Sequence, residues 1–388
     1  MNELFFELIR VSIGTQDRLS RIPSKAEWEE LYDMAEKQSL VGVCFYGLKR
    51  MGADADDGFE RVGMSETMYM EWMIIASNVQ QKNTMVNQQC AELQAKLFAD
   101  GYRSYIMKGQ SVASLYGKHL SGLRQSGDID VYIDGGLEKV LTCAKKYGGA
   151  SRVNELEMYV NVFEDTIVEF HYRPFIMRNP WKNMRLQDFF DSQKEACFEN
   201  KIILSKESVE LRDEVLEITA PTTEFNLVHQ IAHIHLHLFT EGVGMRQLMD
   251  LYFVLRNTNY NELPTHFSEI YKQLGLERFV SALMWIMEYV FGLPKEQMLC
   301  ESNEKDGKFL LDEIMTAGNF GKHDEILLER KSKTGYGLWA LFIRNLKFSR
   351  FDRGDWFWGP LWRVYHFVWR KIIAERLEGR GASKEKEE

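Results

Sequence analysis

One short segment constrains the fold of this chain more than any other, the run GDIDVYID at residues 127–134. Its polar and apolar residues alternate, which is the period of a strand with one buried face. Asp128 and Asp130 therefore lie on the same face, with Cα atoms about 6.6 Å apart. Most acidic residues simply solvate an outer face, but aspartate is disfavoured in strands, so we predict a functional pair.

The rest of the chain is organised around this strand in a way that predicts an α+β fold. Helical periodicity begins near a capping-box pattern at Ser24 and Glu27 and reaches about residue 98. Short β-type runs broken by glycine continue to about Leu204. Thr222 or Thr223, after Pro221, can cap a new helix, and helical periodicity then continues to about Leu377. Only seven of the 388 residues are proline, which favours long helices. We predict a small mixed sheet with large helical flanks, divided into a helical region at 1–98, a core at 99–205, a helical domain at 206–378 and a disordered tail at 379–388.

A candidate phosphate-binding turn lies upstream of the aspartate strand. A predicted strand at 104–107 enters a helix through Lys108 and Gly109. Free backbone N–H groups at such a turn, together with the positive end of the helix dipole, suit a phosphate.

A third acid follows the aspartate strand. Residues 156–163 and 166–172 are predicted to form a hairpin beside it, with Glu169 and His171 on one face. Glu169 can then complete a three-carboxylate cluster with the two aspartates. Because clustered carboxylates repel one another, a hard cation such as Mg²⁺ is the natural counter-charge.

These segments resemble the nucleotidyltransferase superfamily typified by DNA polymerase beta, and within it the uncharacterised bacterial type 5 NTP-transferase family. The motifs that carry the resemblance are the Lys108-Gly109 turn, the Leu123-Arg124 pair, GDIDVYI and VEFHYRP. It extends over most of the chain, since His229, His233 and the helix MRQLMDLYFVL are similar to elements of that family. It departs at Gln110, where the superfamily commonly has serine.

The resemblance implies a metal site, a nucleotide site and a cleft. Two Mg²⁺ ions, with Mn²⁺ as an alternative, would be held by Asp128, Asp130 and Glu169, the last as metal ligand or as base. The residues implied to hold the triphosphate are Lys108, Gly109, Gln110, Ser111 and Arg124. The residues implied to line the cleft are His171, His233, Arg246 and Asp250.

The predicted activity is transfer of a nucleoside monophosphate from an NTP, with ATP the expected donor, and release of pyrophosphate. Two metals about 3.5 to 4 Å apart suit this in-line displacement. The acceptor is not named by the sequence and could be a small molecule, a protein or RNA. Two other hypotheses are a regulatory module that binds nucleotide without turnover and a metal-dependent nuclease.

Three further signals have two or more interpretations. His229, His233 and His237 recur every four residues, as in a zinc pair or an ordinary polar stripe along the cleft. Arg246 and Asp250 are spaced for a simple ion pair or for a role in the cleft. Residues 331–374 hold nine basic residues against two acids, and five of the nine tryptophans. This pattern fits core packing, nucleic-acid binding or membrane contact.

Charge and composition limit the cellular setting. A net charge of −9 argues against wholesale adhesion to nucleic acid. The five cysteines are scattered and never spaced C-x-x-C, which fits a reducing compartment. The start, MNELFFELIRV, does not resemble a secretory signal, and the apolar stretch 279–291 is too short to span a bilayer. We predict a cytoplasmic protein without integral membrane association.

Overall fold

The computed structural model describes residues 1–204, 216–264, 267–317 and 346–374. It is 61% helical, with a mixed five-stranded sheet and a small two-stranded sheet. The predicted α+β fold with helical flanks is therefore confirmed. The chain forms two compact units, each assembled from several stretches of sequence. The sequential division into domains stays a prediction, and the tail at 379–388 lies outside the described residues.

The first unit comprises Met1–Thr84, Leu115–Gln125 and Gln230–Phe351. It contains the start of helix α5 (Glu66–Ala99) and the end of helix α9 (Thr223–Thr240). Its other described helices are α1 (Asn2–Ile13), α2 (Lys25–Lys37), α3 (Val41–Arg50), α4 (Gly58–Arg61), α10 (Met245–Arg256), α11 (Glu269–Gln273), α12 (Glu277–Phe291) and α13 (Glu304–Ala317).

The second unit comprises Met85–Ser114, Ser126–His229 and the residues from Asp352 onward. Its strands are β1 (Ser104–Met107), β2 (Asp128–Ile133), β3 (Ala150–Ser151), β4 (Glu157–Val160), β5 (Ile167–His171), β6 (Lys201–Leu204) and β7 (Leu216–Thr219). Its helices are α6 (Gly109–Ala113), α7 (Gly136–Lys146), α8 (Pro180–Glu199) and α14 (Arg353–Trp369), besides the end of α5 and the start of α9. A short π-helix, Arg370–Ala374, follows α14.

Local sequence signals fix several helix ends. The predicted capping box is present, since Ser24 accepts a hydrogen bond from the Glu27 backbone and the Glu27 carboxylate accepts one from the Ser24 backbone. Asn179 caps the start of helix α8. Its side chain accepts hydrogen bonds from the backbone N–H groups of Trp181 and Lys182, and Pro180 is the first helical residue. Helix α1 ends at Gly14 with φ of 82°, a left-handed conformation that glycine adopts without strain.

The five-stranded sheet has the order β1-β2-β5-β4-β3. Strands β2 and β5 are parallel, and the other neighbouring pairs are antiparallel. The predicted hairpin is present as β4 and β5, next to the aspartate strand. In this register Asp130 lies opposite Glu169, and His171 lies between Tyr132 on one side and Glu157 on the other.

One face of this sheet is apolar and holds the core of the second unit. Strand alternation sends the odd-numbered residues of β2 and the even-numbered residues of β4 and β5 to this face. They pack against α5, α7 and Trp369 of α14. The residues of β2, β4 and β5 in this core are Ile129, Val131, Ile133, Met158, Val160, Val168 and Phe170. The opposite face of the sheet therefore carries the polar residues.

Strand β7 lies past the predicted end of the strand-rich stretch at about Leu204 and before the helix predicted to start at Thr222 or Thr223. Leu216–Thr219 pairs antiparallel with β6, and its β-branched residues fit a strand. The buried Gln94 side chain supports this strand, because its amide donates to the Thr219 carbonyl and accepts from the Thr219 N–H. None of the helices in the described ranges is long and apolar enough to cross a membrane.

A glycine in α3 marks a close approach in the first unit. A Cβ built on Gly42 would lie 2.6 Å from the backbone oxygen of Leu123. Gly42→Ala should gain about 1 kcal/mol of helix propensity but lose about 1–3 kcal/mol through overpacking. Chemical denaturation should therefore show net destabilisation. Gly122→Ala, whose Cβ would meet only Gln80 Cγ at 3.5 Å, is the control. Equal stability of the two variants would contradict the packing argument.

Candidate functional site

The polar face of the sheet brings three potential metal ligands together. Asp130 on β2 and Glu169 and His171 on β5 are buried, and one ligand atom from each lies within 4.8 Å of the others. The register explains this, because neighbouring strands place these residues side by side on one face. Two carboxylates and an imidazole in one buried cluster can bind a metal ion.

His171 is at the centre of the cluster. Its Nε2 atom lies 2.9 Å from Asp130 Oδ1, 3.3 Å from Glu157 Oε2 and 3.6 Å from Glu169 Oε2. The ring is fully buried. From the sequence, His171 was predicted only as a cleft residue, and Glu157 was not predicted. The alternation of Glu157 and Tyr159 with apolar Met158 and Val160 was the available signal.

Asp128 lies on the same face as Asp130 but at the edge of the cluster. It is the half-buried first residue of β2, opposite Ile167, and it is outside the group of ligand atoms within 4.8 Å. The negative charge of Asp128 is among those that raise the pKa of Tyr159, after burial and the nearby Glu169. Its role as a metal ligand stays a prediction.

Lys108 is the cation nearest the acids. Its Nζ donates to Asp130 Oδ1 over 2.7 Å, and its backbone has φ of 47°, which non-glycine residues rarely adopt. The helix after Lys108 is short: α6 ends at Ala113, and a 3₁₀ turn, Ser114–Tyr116, follows it. A five-residue helix has only a small dipole, so Lys108 is the main positive group at this turn.

The other predicted phosphate residues hold the turn together. The Gln110 amide donates to Asn87 Oδ1, and its oxygen accepts from the Ser126 hydroxyl over 2.5 Å. Ser111 Oγ donates to the Lys108 carbonyl over 2.8 Å. Both side chains are buried, and Gly109 has φ of 20°. Their contact with nucleotide stays a prediction.

Electrostatics keep the cluster charged. Burial alone would raise the pKa of Asp130, but attraction to Lys108 and the hydrogen bond from His171 lower it well below its usual range. Burial opposes protonation of His171, yet Glu157 and the hydrogen-bonded carboxylates raise its pKa to about 9. The same acids raise the pKa of Lys108 against the effect of burial. Lys108 and His171 are therefore both cationic at neutral pH.

Glu157 behaves differently from Asp130. Burial, together with the neighbouring negative charges of Glu169 and Asp130, raises its pKa, although His171 and Lys108 oppose this. Of these two acids, Glu157 takes up a proton more readily.

A second charged cluster, in the first unit, contains Arg124 and Asp250. Arg124 Nε and Nη2 donate to the two Asp250 oxygens over 2.6 and 2.7 Å, and the Tyr116 hydroxyl donates to Oδ1 over 2.6 Å. Arg246 donates to the Gln125 carbonyl over 2.8 Å. The Asp250 carboxylate thus pairs with Arg124, a partner that its spacing from Arg246 did not suggest.

The predicted site residues are divided between the two units. Lys108, Gly109, Gln110, Ser111, Asp128, Asp130, Glu169 and His171 belong to the second unit. Arg124, His233, Arg246 and Asp250 belong to the first. His233 Nε2 lies 2.9 Å from His237 Nε2 on α9. A role for the first-unit residues in the nucleotide cleft stays a prediction.

Fold and site together define a mixed α+β protein whose sheet carries an acidic cluster that could hold a metal ion. The chain belongs to the family described as uncharacterised nucleotidyltransferase, whose sequence model matches residues 24–292. The suspected resemblance is confirmed, and membership supports a general role in nucleotidyl transfer. No curated protein and no solved structure matched the chain.

The Arg124–Asp250 pair should be a major stabilising contact. Asp250→Ala leaves a buried guanidinium without its carboxylate, so we expect a loss of about 3–5 kcal/mol in unfolding free energy. Glu92→Ala, which removes the exposed ion pair with Lys96, is the control and should cost at most about 1 kcal/mol. Urea denaturation compares the two. Similar losses would show that Arg124 does not depend on Asp250.

Protonation of His171 should make stability depend on pH. Its folded pKa of about 9 exceeds the ordinary 6.5, so the stabilisation is complete below about pH 6.5 and is lost as pH rises through 9. In chelator-treated protein, unfolding free energy should fall over this window, and the fall should be smaller in His171→Asn. Parallel pH profiles for the two proteins would contradict the assignment.

Proposed function

We propose that this chain is a metal-dependent nucleotidyltransferase that moves a nucleoside monophosphate from an NTP, with ATP the expected donor, to an acceptor hydroxyl. The observation that supports it most is the meeting of Asp130 and Glu169, from parallel neighbouring strands, beside the half-buried Lys108. Family membership gives the general class of reaction. The cytoplasm, where NTPs are abundant, is the proposed location.

The residues fit a divalent cation. Asp130 and Glu169 offer carboxylate oxygens within 4.8 Å, and Asp128 adds a third carboxylate on the same strand face. Oxygen donors of this type suit Mg²⁺ and Mn²⁺. We propose that these three acids hold two ions. When bound, such ions neutralise phosphate charge and acidify a coordinated hydroxyl.

The protein groups have separate tasks in this proposal. The hydrogen bond from His171 Nε2 fixes the orientation of the Asp130 carboxylate, and Glu157 holds His171 from the adjacent strand. Lys108 supplies fixed positive charge where a triphosphate would place its negative oxygens. The family resemblance is the reason for proposing Arg124 as a further phosphate contact. Its guanidinium forms an ion pair with Asp250.

The proposed reaction forms one bond to phosphorus, breaks another and transfers one proton. The acceptor oxygen forms a bond to the α-phosphorus, and the bond from that phosphorus to the β-bridging oxygen breaks. Glu169 is proposed to take the acceptor proton, and pyrophosphate leaves with the electron pair of the broken bond. The acceptor is a small molecule, a protein or RNA.

The alternative is a module that binds nucleotide without turnover. It is supported by Gln110, which replaces the common serine and has its amide engaged with Asn87 and its oxygen with Ser126. Glutamine has no hydroxyl to donate to a phosphate, and both polar atoms of the Gln110 side chain already form hydrogen bonds within the protein. Binding of NTP without pyrophosphate release across a broad acceptor panel would favour this alternative.

The carboxylates provide the direct test. Purified protein, labelled ATP and Mg²⁺ are incubated with cell extract, and mass spectrometry identifies new adenylylated species. Asp130→Asn and Glu169→Gln should reduce turnover to background, because the proposed metal ligands are lost. Asp134→Asn, which changes the acid paired with Lys194 after the end of β2, should keep activity. Glu157→Gln should cost about 10- to 100-fold through its effect on His171.

Metal binding separates loss of chemistry from loss of fold. Mn²⁺ titration followed by electron paramagnetic resonance should show bound ions in wild type and Asp134→Asn but weak binding in Asp130→Asn. Unchanged turnover and Mn²⁺ affinity in folded Asp130→Asn would end the transferase proposal.

A further inference from the structure

Helix α14 carries an apolar stripe that the fold leaves exposed. Phe357, Leu361, Val364, Tyr365 and Val368 are spaced to share one face of the helix, and Ile372 follows in the π-helix. Each of these side chains is between 45% and 63% exposed. Contiguous apolar surface of this kind on a folded protein usually marks an interaction site.

The opposite side of α14 is already anchored to the second unit. Trp369 is buried in the sheet core, and Trp358 contacts Trp181 edge to face. His366 Nδ1 lies 2.8 Å from Glu155 Oε2. The exposed stripe is therefore not the side that holds the helix to its own unit.

We propose that the exposed stripe of α14 binds the surface of a bilayer that contains anionic phospholipid. From residue 356 to 374 the sequence has no acidic residue and three permanent cations, Arg363, Arg370 and Lys371. An apolar stripe bordered by cations is the pattern of a helix that lies in the membrane interface. The attraction is local, because the net charge of the whole chain is −9.

The side chains of the stripe favour a bilayer over two other partners, single-stranded nucleic acid and a second copy of the chain. Single-stranded nucleic acid binds by stacking on aromatic rings, but Leu361, Val364 and Val368 are aliphatic and cannot stack with bases. A symmetric contact with a second copy would bring two such basic segments together, which like-charge repulsion opposes. Acyl chains and anionic headgroups match both the aliphatic residues and the cations. The inference does not depend on the proposed transferase activity.

Vesicle flotation with the full chain tests the proposal. Protein should float with vesicles of phosphatidylcholine plus phosphatidylglycerol and stay in the dense fractions with phosphatidylcholine alone. Val364→Ser with Val368→Ser should weaken binding at least about tenfold by removing apolar contact. Arg370→Glu should weaken it by a similar factor through charge, and added salt should do the same. Met184→Ser with Ile74→Ser removes two equally exposed apolar side chains on other helices and should bind as wild type.

Three results would overturn the proposal. One is equal flotation of the α14 double variant and the Met184/Ile74 control, with matched thermal unfolding of both. Another is a dimer in sedimentation velocity that the α14 substitutions convert to monomer without any vesicle binding. The third is salt-sensitive binding to RNA by a protein that does not float with anionic vesicles.

Discussion

Burial of several carboxylates on one sheet face is the constraint on which the second unit depends. An isolated buried carboxylate is too costly to keep ionised, so it must be paired with a cation or take up a proton. Lys108 and His171 meet this requirement for Asp130, each with a nitrogen within hydrogen-bonding distance of the same oxygen. Burial favours the neutral form of His171, but the neighbouring acids outweigh this effect and raise its pKa to about 9.

The register of the sheet, rather than any loop, creates this arrangement. Parallel pairing of β2 with β5 sets Asp130 beside Glu169, and antiparallel pairing of β4 with β5 sets Glu157 beside His171. A slip of one residue would turn these groups into the core and send Val131 and Phe170 to the polar face. The apolar core therefore fixes the position of the charged cluster, so packing and chemistry are specified by the same alternation.

The parts of this site that follow local rules could be predicted from the sequence. Period-two alternation was enough to put Asp128 and Asp130 on one face and to find the hairpin that carries Glu169. Contacts that depend on non-local geometry were not predictable. Nothing near Arg124 in sequence indicates Asp250, and Lys108 reaches Asp130 only because β1 pairs with β2. Glu157 was missed because a lone acid in a short strand looks like any half-exposed residue. Strand β7 was missed because a four-residue strand is defined by its pairing with β6 rather than by its own pattern.

The charge balance of the two clusters separates a structural role from a chemical one. Asp250 meets one guanidinium through two hydrogen bonds and one hydroxyl, so its charge is matched within the protein. In the described part of the chain, Asp130, Glu169 and Glu157 lie beside two cations, Lys108 and His171, and Asp128 lies nearby on the same sheet face. Burial raises the pKa of Glu157, and the negative charges of Glu169 and Asp130 raise it further. A divalent cation would offset these negative charges without a proton, which is why the sheet cluster, and not the Arg124 pair, is the place to expect metal-assisted chemistry.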